Sequence, residues 1–292
     1  DSAKGFDAMC ARAKATPWKD ILRDTGLDRK SIESVGTLLA TSRATIACWA
    51  MGLTQQPNGV AVIQEVVNLL LMGGHVGKVG AGFCPVRGHS NVQGDRTVGI
   101  WEAPSEAFLQ KMEQGLGFPM PRKHGYDVVN AIHAMNEEKV GVFFCMGGNF
   151  LSATPDTNQT ARGLSKIDLT VQVSTKLNRS HLFTGKTALI LPCLGRTELD
   201  KQSTGNQFVT VENSMGVVHR STGGLAPASP HLLSEPAIVA RLALSSLAES
   251  PLDWEGLASN YDLIRDLMAQ SLEGFEGYNK RVRQENGFNL PN

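Results

Sequence analysis

Short apolar runs recur along this chain, each stopped by glycine or proline. Ala44 to Met51 ends at Gly52 and opens the polar turn Thr54-Gln55-Gln56-Pro57-Asn58-Gly59. Val140 to Cys145 ends at Met146-Gly147-Gly148-Asn149, and Thr187 to Leu191 is closed by Pro192. Between them Leu169 to Val173 runs into the polar loop Ser174–Ser180. Helix-patterned segments intervene. Residues 60–72 place Ile63, Val66, Val67 and Leu70 on one stripe before Gly73-Gly74, and 127–138, 157–164 and 236–247 read the same way. Strand, polar turn and helix in repetition is the pattern of a parallel α/β sheet. The spacing therefore predicts a doubly wound, mostly parallel sheet built in Rossmann-like lobes, with ligands at the carboxyl ends of the strands.

The remaining segments fill in that plan. Residues 17–25 and 29–42 read as helices, the second capped by Asp28, with Ile32, Val35, Leu38 and Leu39 at helical spacing. Residues 73–99 are glycine-rich and read as one long loop, whose many specific polar residues mark it as functional. A hairpin is expected around Glu212–Gly216, and Pro236 starts a closing helix. The expected organisation is the C-terminal part of one α/β lobe over 1–84, a second, cofactor-binding lobe over 85–248, and a helical arm or linker over 249–292.

Bulk properties narrow the function classes. With 28 basic and 28 acidic side chains the net charge is zero, so no global field favours nucleic acid or an anionic membrane. No apolar run is long enough to span a bilayer. Cys10, Cys48, Cys84, Cys145 and Cys193 are dispersed without a Cys-x-x-Cys pair, which suggests reduced thiols and a cytoplasmic setting, with most of them buried as small hydrophobes. Their spacings assemble no iron–sulfur cluster. The chain opens at Asp1 and reads as an interior piece of a longer protein.

The richest local chemistry lies in Pro85-Val86-Arg87-Gly88-His89-Ser90-Asn91-Val92-Gln93-Gly94. One fixed positive charge stands among glycines and amide side chains, a combination suited to a large, polar, anionic ligand. This stretch resembles the Val-Arg-Gly-Gln-Asn-Asn-Val-Gln-Gly motif of the formate dehydrogenase branch of the molybdopterin oxidoreductases, with His89 and Ser90 departing from it. Gly52-Leu53-Thr54-Gln55 with Gly59 resembles the family's Gly-Val-Asn-Gln turn, and Leu189-Ile190-Leu191-Pro192 its Ile-Leu-Pro strand end. The order and spacing of the three agree.

The resemblance implies two molybdopterin guanine dinucleotides holding molybdenum, which cycles between Mo(VI) and Mo(IV). It implies a protein metal ligand and any 4Fe-4S cluster on the N-terminal side of these residues, so no metal ligand is assigned here. This chain alone is then expected to be inactive. Arg87 is the candidate for holding a substrate carboxylate, and His89 the candidate for donating to the cofactor or relaying protons. Gly52, Thr54, Gln55, Gly88, Asn91, Gln93 and Gly94 are the first set of cofactor candidates. Gly147, Gly148 and Asn149, then Lys176, Asn178 and Arg179, are the second, for phosphate, ribose or base. At Leu177-Asn178-Arg179-Ser180 the chain departs from the family's Met-Thr-Glu-Thr pattern. Glu198, Asp200 and Glu212 read as solvated carboxylates of a polar loop. The expected partners are a small-molecule substrate and an electron-transfer protein, with no nucleic acid and no membrane. The alternatives are a nucleotide-binding α/β scaffold or regulatory module without redox activity, and a family member that keeps the fold without the activity.

Overall fold

The computed structural model describes residues 4–86, 88–89, 91–213 and 215–290. The chain divides into two compact units, 1–89 and 90–292.

The first unit is mostly helical. α1 (Phe6–Ala15), α2 (Trp18–Thr25) and α3 (Arg29–Thr41) precede β1 (Ile46–Trp49). The Asp28 carboxylate accepts from the Ser31 amide at 2.9 Å, as its N-cap position predicts. After β1 come the short α4 (Met51–Thr54) and α5 (Gly59–Met72). Ile63, Val66 and Val67 of α5 are half-buried and Leu70 is buried, so the predicted stripe is the packed face. The expectation of an unbroken loop over 73–99 is corrected. Gly82–Pro85 forms β2, which pairs parallel with β1. Four residues ending in proline carry no period of their own, and pairing with β1 decides their conformation.

The second unit begins with α6 (Val92–Thr97), α7 (Glu106–Leu116) and α8 (Val128–Asn136). β3 (Val142–Met146), α9 (Phe150–Ala153), α10 (Thr157–Lys166), β4 (Leu169–Ser174), a 3-10 turn (Arg179–Leu182) and β5 (Thr187–Pro192) follow. The three strands form a parallel sheet in the order β3-β4-β5, so the α/β class read from the alternation is the fold observed. Helices cover both of its faces. Phe143 packs with Met135, Leu151, Leu164 and Ile167 on one side, while Val173 and Leu191 meet Ile238 and Cys193 on the other.

β6 (Lys201–Gln202) and β7 (Gly205–Asn206) make a small ribbon, and β8 (Val209–Glu212) pairs with β9 (Val217–Ser221) as the expected hairpin. α11 (Glu235–Ser246), α12 (Trp254–Ser259), α13 (Tyr261–Ser271), α14 (Tyr278–Arg281) and β10 (Phe288–Asn289) complete the chain. Residues 249–292, expected as an arm, lie within this unit. β10 adds to β9, and Leu272, Phe275, Tyr278, Val282 and Phe288 form a core with Val218. Arg265, 4% exposed, holds this segment to the unit. It donates to the Phe208 carbonyl and the Asn279 side chain and pairs with Asp262.

Candidate functional site

Parallel strands deliver their turns to one edge. After β3, Gly147 and Gly148 adopt φ values of +70° and +73°, the region that glycine enters without a steric penalty. The Gly147 amide donates to the Val173 carbonyl at 2.8 Å, continuing the β3–β4 pairing past the strand end. Asn178, in the turn after β4, donates its amide to the Gly148 carbonyl at 2.8 Å. Ser180 donates to Asn149 Oδ1 at 2.9 Å and accepts from the Leu151 amide at 2.8 Å. His181 Nδ1 accepts from the Asn178 amide at 2.9 Å.

Gly147, Gly148, Asn149 and Asn178 are therefore brought together. The two asparagine side chains tie one turn to the other. What faces outward is glycine backbone and two cations. Lys176 and Arg179 are exposed, and neither charged group pairs with a described residue.

The second unit also has a cavity of about 1050 Å³ that opens to solvent, lined by Met146 and Thr175 from the strand ends, by Asn91, Gly94 and Asp95, and by Glu235. Asn91 is a scaffold for this wall. Its Oδ1 accepts from the Glu212 amide at 2.9 Å, and a Cβ at Gly94 would meet that oxygen at 2.1 Å, so the folded position of Asn91 requires glycine there. Gln93 is half-buried and engaged within the fold.

The expectation that Glu198, Asp200 and Glu212 are solvated is corrected. Glu212 is 9% exposed and accepts from the Thr97 hydroxyl at 2.8 Å. Glu198 accepts from the backbone amides of Gly195 and Ala228, which hold its pKa below the ordinary carboxylate range. Asp200 accepts from the Tyr261 hydroxyl at 2.5 Å, and burial, then this contact, push the phenol's pKa up.

Glu235 went unnoticed in the sequence. A Cβ at Gly147 would lie 4.0 Å from its Oε1, so the carboxyl faces the β3 turn. Loss of hydration, then the charge of Asp95, raise its pKa. No described residue donates a hydrogen bond to it. Its only sequence signal is its place beside Pro236 at the start of α11.

In the first unit, β1 and β2 likewise send their carboxyl ends to one edge. Gly52, Thr54 and Gln55 leave from β1, and Gly88 and His89 from β2, all of them exposed. A Cβ at Gly52 or Gly88 would meet nothing within 4 Å. At Gly59 it would lie 2.7 Å from the Leu53 carbonyl, so the helix start closes on the turn only with glycine. Arg87 and Ser90 lie outside the described residues.

The cysteine expectation is also corrected. Cys193 is buried, but Cys48 and Cys84 are exposed, on a two-stranded sheet with little to cover it. Among the described residues no group of three or more His, Cys, Asp or Glu is placed to hold a metal ion. No helix among them is long and apolar enough to cross a membrane.

Comparison with known proteins agrees with this architecture. The molybdopterin oxidoreductase family profile matches residues 5–198, and the chain belongs to that family. It is 50% identical over 288 residues to an uncharacterized oxidoreductase of Mycobacterium tuberculosis, covering 98% of this chain and 37% of the relative. It is 46% identical over 288 residues to the protein YdeP of Escherichia coli, covering 99% of this chain and 38% of YdeP. YrhE of Bacillus subtilis, named provisionally as a formate dehydrogenase, is 26% identical over 286 residues, covering 92% of this chain and 28% of that protein. The chain thus spans well under half the length of these relatives. Membership of the family implies a molybdopterin cofactor.

Proposed function

We propose that these residues form part of the cradle for molybdopterin guanine dinucleotide in a formate-dehydrogenase-like oxidoreductase acting on a small anionic substrate. The observation that carries this reading is the β3–β4 edge. A turn with two left-handed glycines, pinned by Asn178 and Ser180, leaves open space at Gly148 beside two cations that lack a described partner. A pyrophosphate needs such donors and charges, because it sheds water when it binds. Lys176 and Arg179 would hold the phosphates, and Gly147 and Gly148 permit close approach. A guanine or pterin carries an amino group and a ring N–H on one edge, and a carboxylate that receives no donor from a described residue, such as Glu235, suits that edge.

Bound molybdenum would supply the two-electron chemistry. The protein's part is binding and charge placement. Arg87 would orient a substrate carboxylate through its planar fork. Gly52, Thr54, Gln55 and Gly88 would contribute to the pterin side, and His89 would serve proton transfer. The formate reading draws on the motif around Arg87 and on the likeness to YrhE, the guanine reading on Glu235 and the strand-end turn. A small-molecule substrate and an electron acceptor complete the proposal.

The test uses the intact protein from cells able to make the cofactor. Acid extraction followed by mass spectrometry should release an oxidised pterin together with GMP, and metal analysis should find molybdenum. The double substitution Lys176→Ala, Arg179→Ala should lower cofactor content about tenfold, on the scale of two exposed ion pairs. Arg87→Ala should retain the cofactor and lose formate oxidation. A protein that carries no pterin, or a double variant that loads fully, would refute the binding reading. Full cofactor without formate turnover would refute only the substrate assignment.

A further inference from the structure

β1 and β2 are adjacent parallel strands, and their register sets Cys48 directly opposite Cys84. Directly opposed residues of a parallel pair point to the same face of the sheet. Neighbouring strands lie about 4.8 Å apart, inside the window of roughly 4.4–6.8 Å between Cα atoms that a disulfide spans. Both thiols are free and exposed. Lost hydration, then the neighbouring Cys84 thiol, raise the Cys48 pKa above its ordinary value. No fold requirement explains two exposed cysteines on one sheet face, since neither packs in a described core.

We infer that Cys48 and Cys84 form a dithiol that a low-molecular-weight disulfide, such as oxidised glutathione, converts reversibly to an intramolecular disulfide. In the first step a thiolate of the pair attacks one sulfur of the small disulfide, forms a mixed disulfide and releases one small thiolate. In the second, the neighbouring cysteine loses its proton and attacks the protein sulfur of that mixed disulfide, expelling the second small thiolate. The protein gives up two electrons and two protons, and the small disulfide becomes two thiols. The parallel register makes the second step intramolecular, so the mixed disulfide is short-lived.

The position gives the bridge a consequence. Cys48 and Cys84 lie one residue before the carboxyl ends of their strands. The segments Gly52–Gln55 and Gly88–His89 leave from those ends. A bridge would clamp their roots together.

The experiment uses the intact protein, incubated with oxidised glutathione and then alkylated without reduction. Tryptic mass spectrometry should find the peptide carrying Cys48 joined to the one carrying Cys84, and dithiothreitol should separate them. Cys48→Ser and Cys84→Ser should each leave the remaining cysteine as a persistent glutathione mixed disulfide, at least tenfold more abundant than in the parent protein. Circular dichroism of both serine variants should match the parent, so that loss of linkage is not loss of fold. Recovery of both cysteines in the parent as free thiols, or as stable separate mixed disulfides, overturns the inference. So does a serine variant whose remaining cysteine takes up no glutathione.

Discussion

The two strand-end edges of this protein are built differently. At the β3–β4 edge the turns are fastened by side chains. Asn178 holds Gly148, Ser180 holds Asn149 and Leu151, and Leu151 beneath them is 0% exposed. At the β1–β2 edge the corresponding residues are exposed, Gly52 and Gly88 have no neighbour for a Cβ, and Leu70 is the one large apolar side chain fully buried among the described residues of that unit. A two-stranded sheet has little independent stability. α3 even leaves Val35 and Leu38 57% and 68% exposed, on the helix stripe that the sequence marked for packing. One edge is organised by its own unit before any ligand arrives. The other carries Gly52, Thr54, Gln55, Gly88 and His89 on a frame that gives them little support.

The sharpest way to break that contrast is to remove the support under the organised edge. Leu151→Ala deletes a side chain packed against Met135, Leu164 and Ile167. Chemical denaturation of the intact protein should show a loss of about 2–5 kcal/mol for the transition that includes this unit. A loss below about 1 kcal/mol would mean that the turn does not rest on this core. Ser180→Ala comes next. Ser180 is 3% exposed, and its hydroxyl both donates to Asn149 and accepts the Leu151 amide. Removing it leaves a buried N–H without an acceptor, which costs about 1–3 kcal/mol. The double variant Ser180→Ala, Asn178→Ala should lose less than the sum of the two single effects, because both side chains hold the same turn.

The organised edge was also the more legible one. The runs at 140–145, 169–173 and 187–191 are apolar, are closed by glycine, polar residues or proline, and announce three parallel strands. Asp28 and Pro236 announce helix starts. The illegible parts have physical reasons. α1 starts after Gly5 without a side-chain cap, so no capping residue marks its start. β2 is four residues, Gly-Phe-Cys-Pro, that only the pairing with β1 makes a strand. Glu212 and Asp200 look like loop carboxylates because their partners Thr97 and Tyr261 stand 115 and 61 positions away in sequence. The Cys48–Cys84 pairing is set by strand register, which composition does not carry. Asn178, which holds Gly148, was named from the sequence together with Gly147, Gly148 and Asn149, but Ser180, which holds Asn149, was not.

The smallest expected effect separates a frame that is weakly supported from one that is not cooperative at all. Asp28→Ala removes the oxygens that accept from both the amide and the hydroxyl of Ser31 at the start of α3. The Asp28 pKa lies below the ordinary carboxylate value, chiefly through those two contacts, so the cap is present at neutral pH and is lost as acid protonates it. If the first unit folds as one body, the loss should spread, and hydrogen exchange should quicken in β1 and α5 as well as in α3. The contrast between the two edges predicts a narrower result. Exchange should quicken in the first turns of α3 alone, the β3–β4 edge should be unmoved, and the parent should reproduce the same local loosening when the pH is lowered through the titration of Asp28.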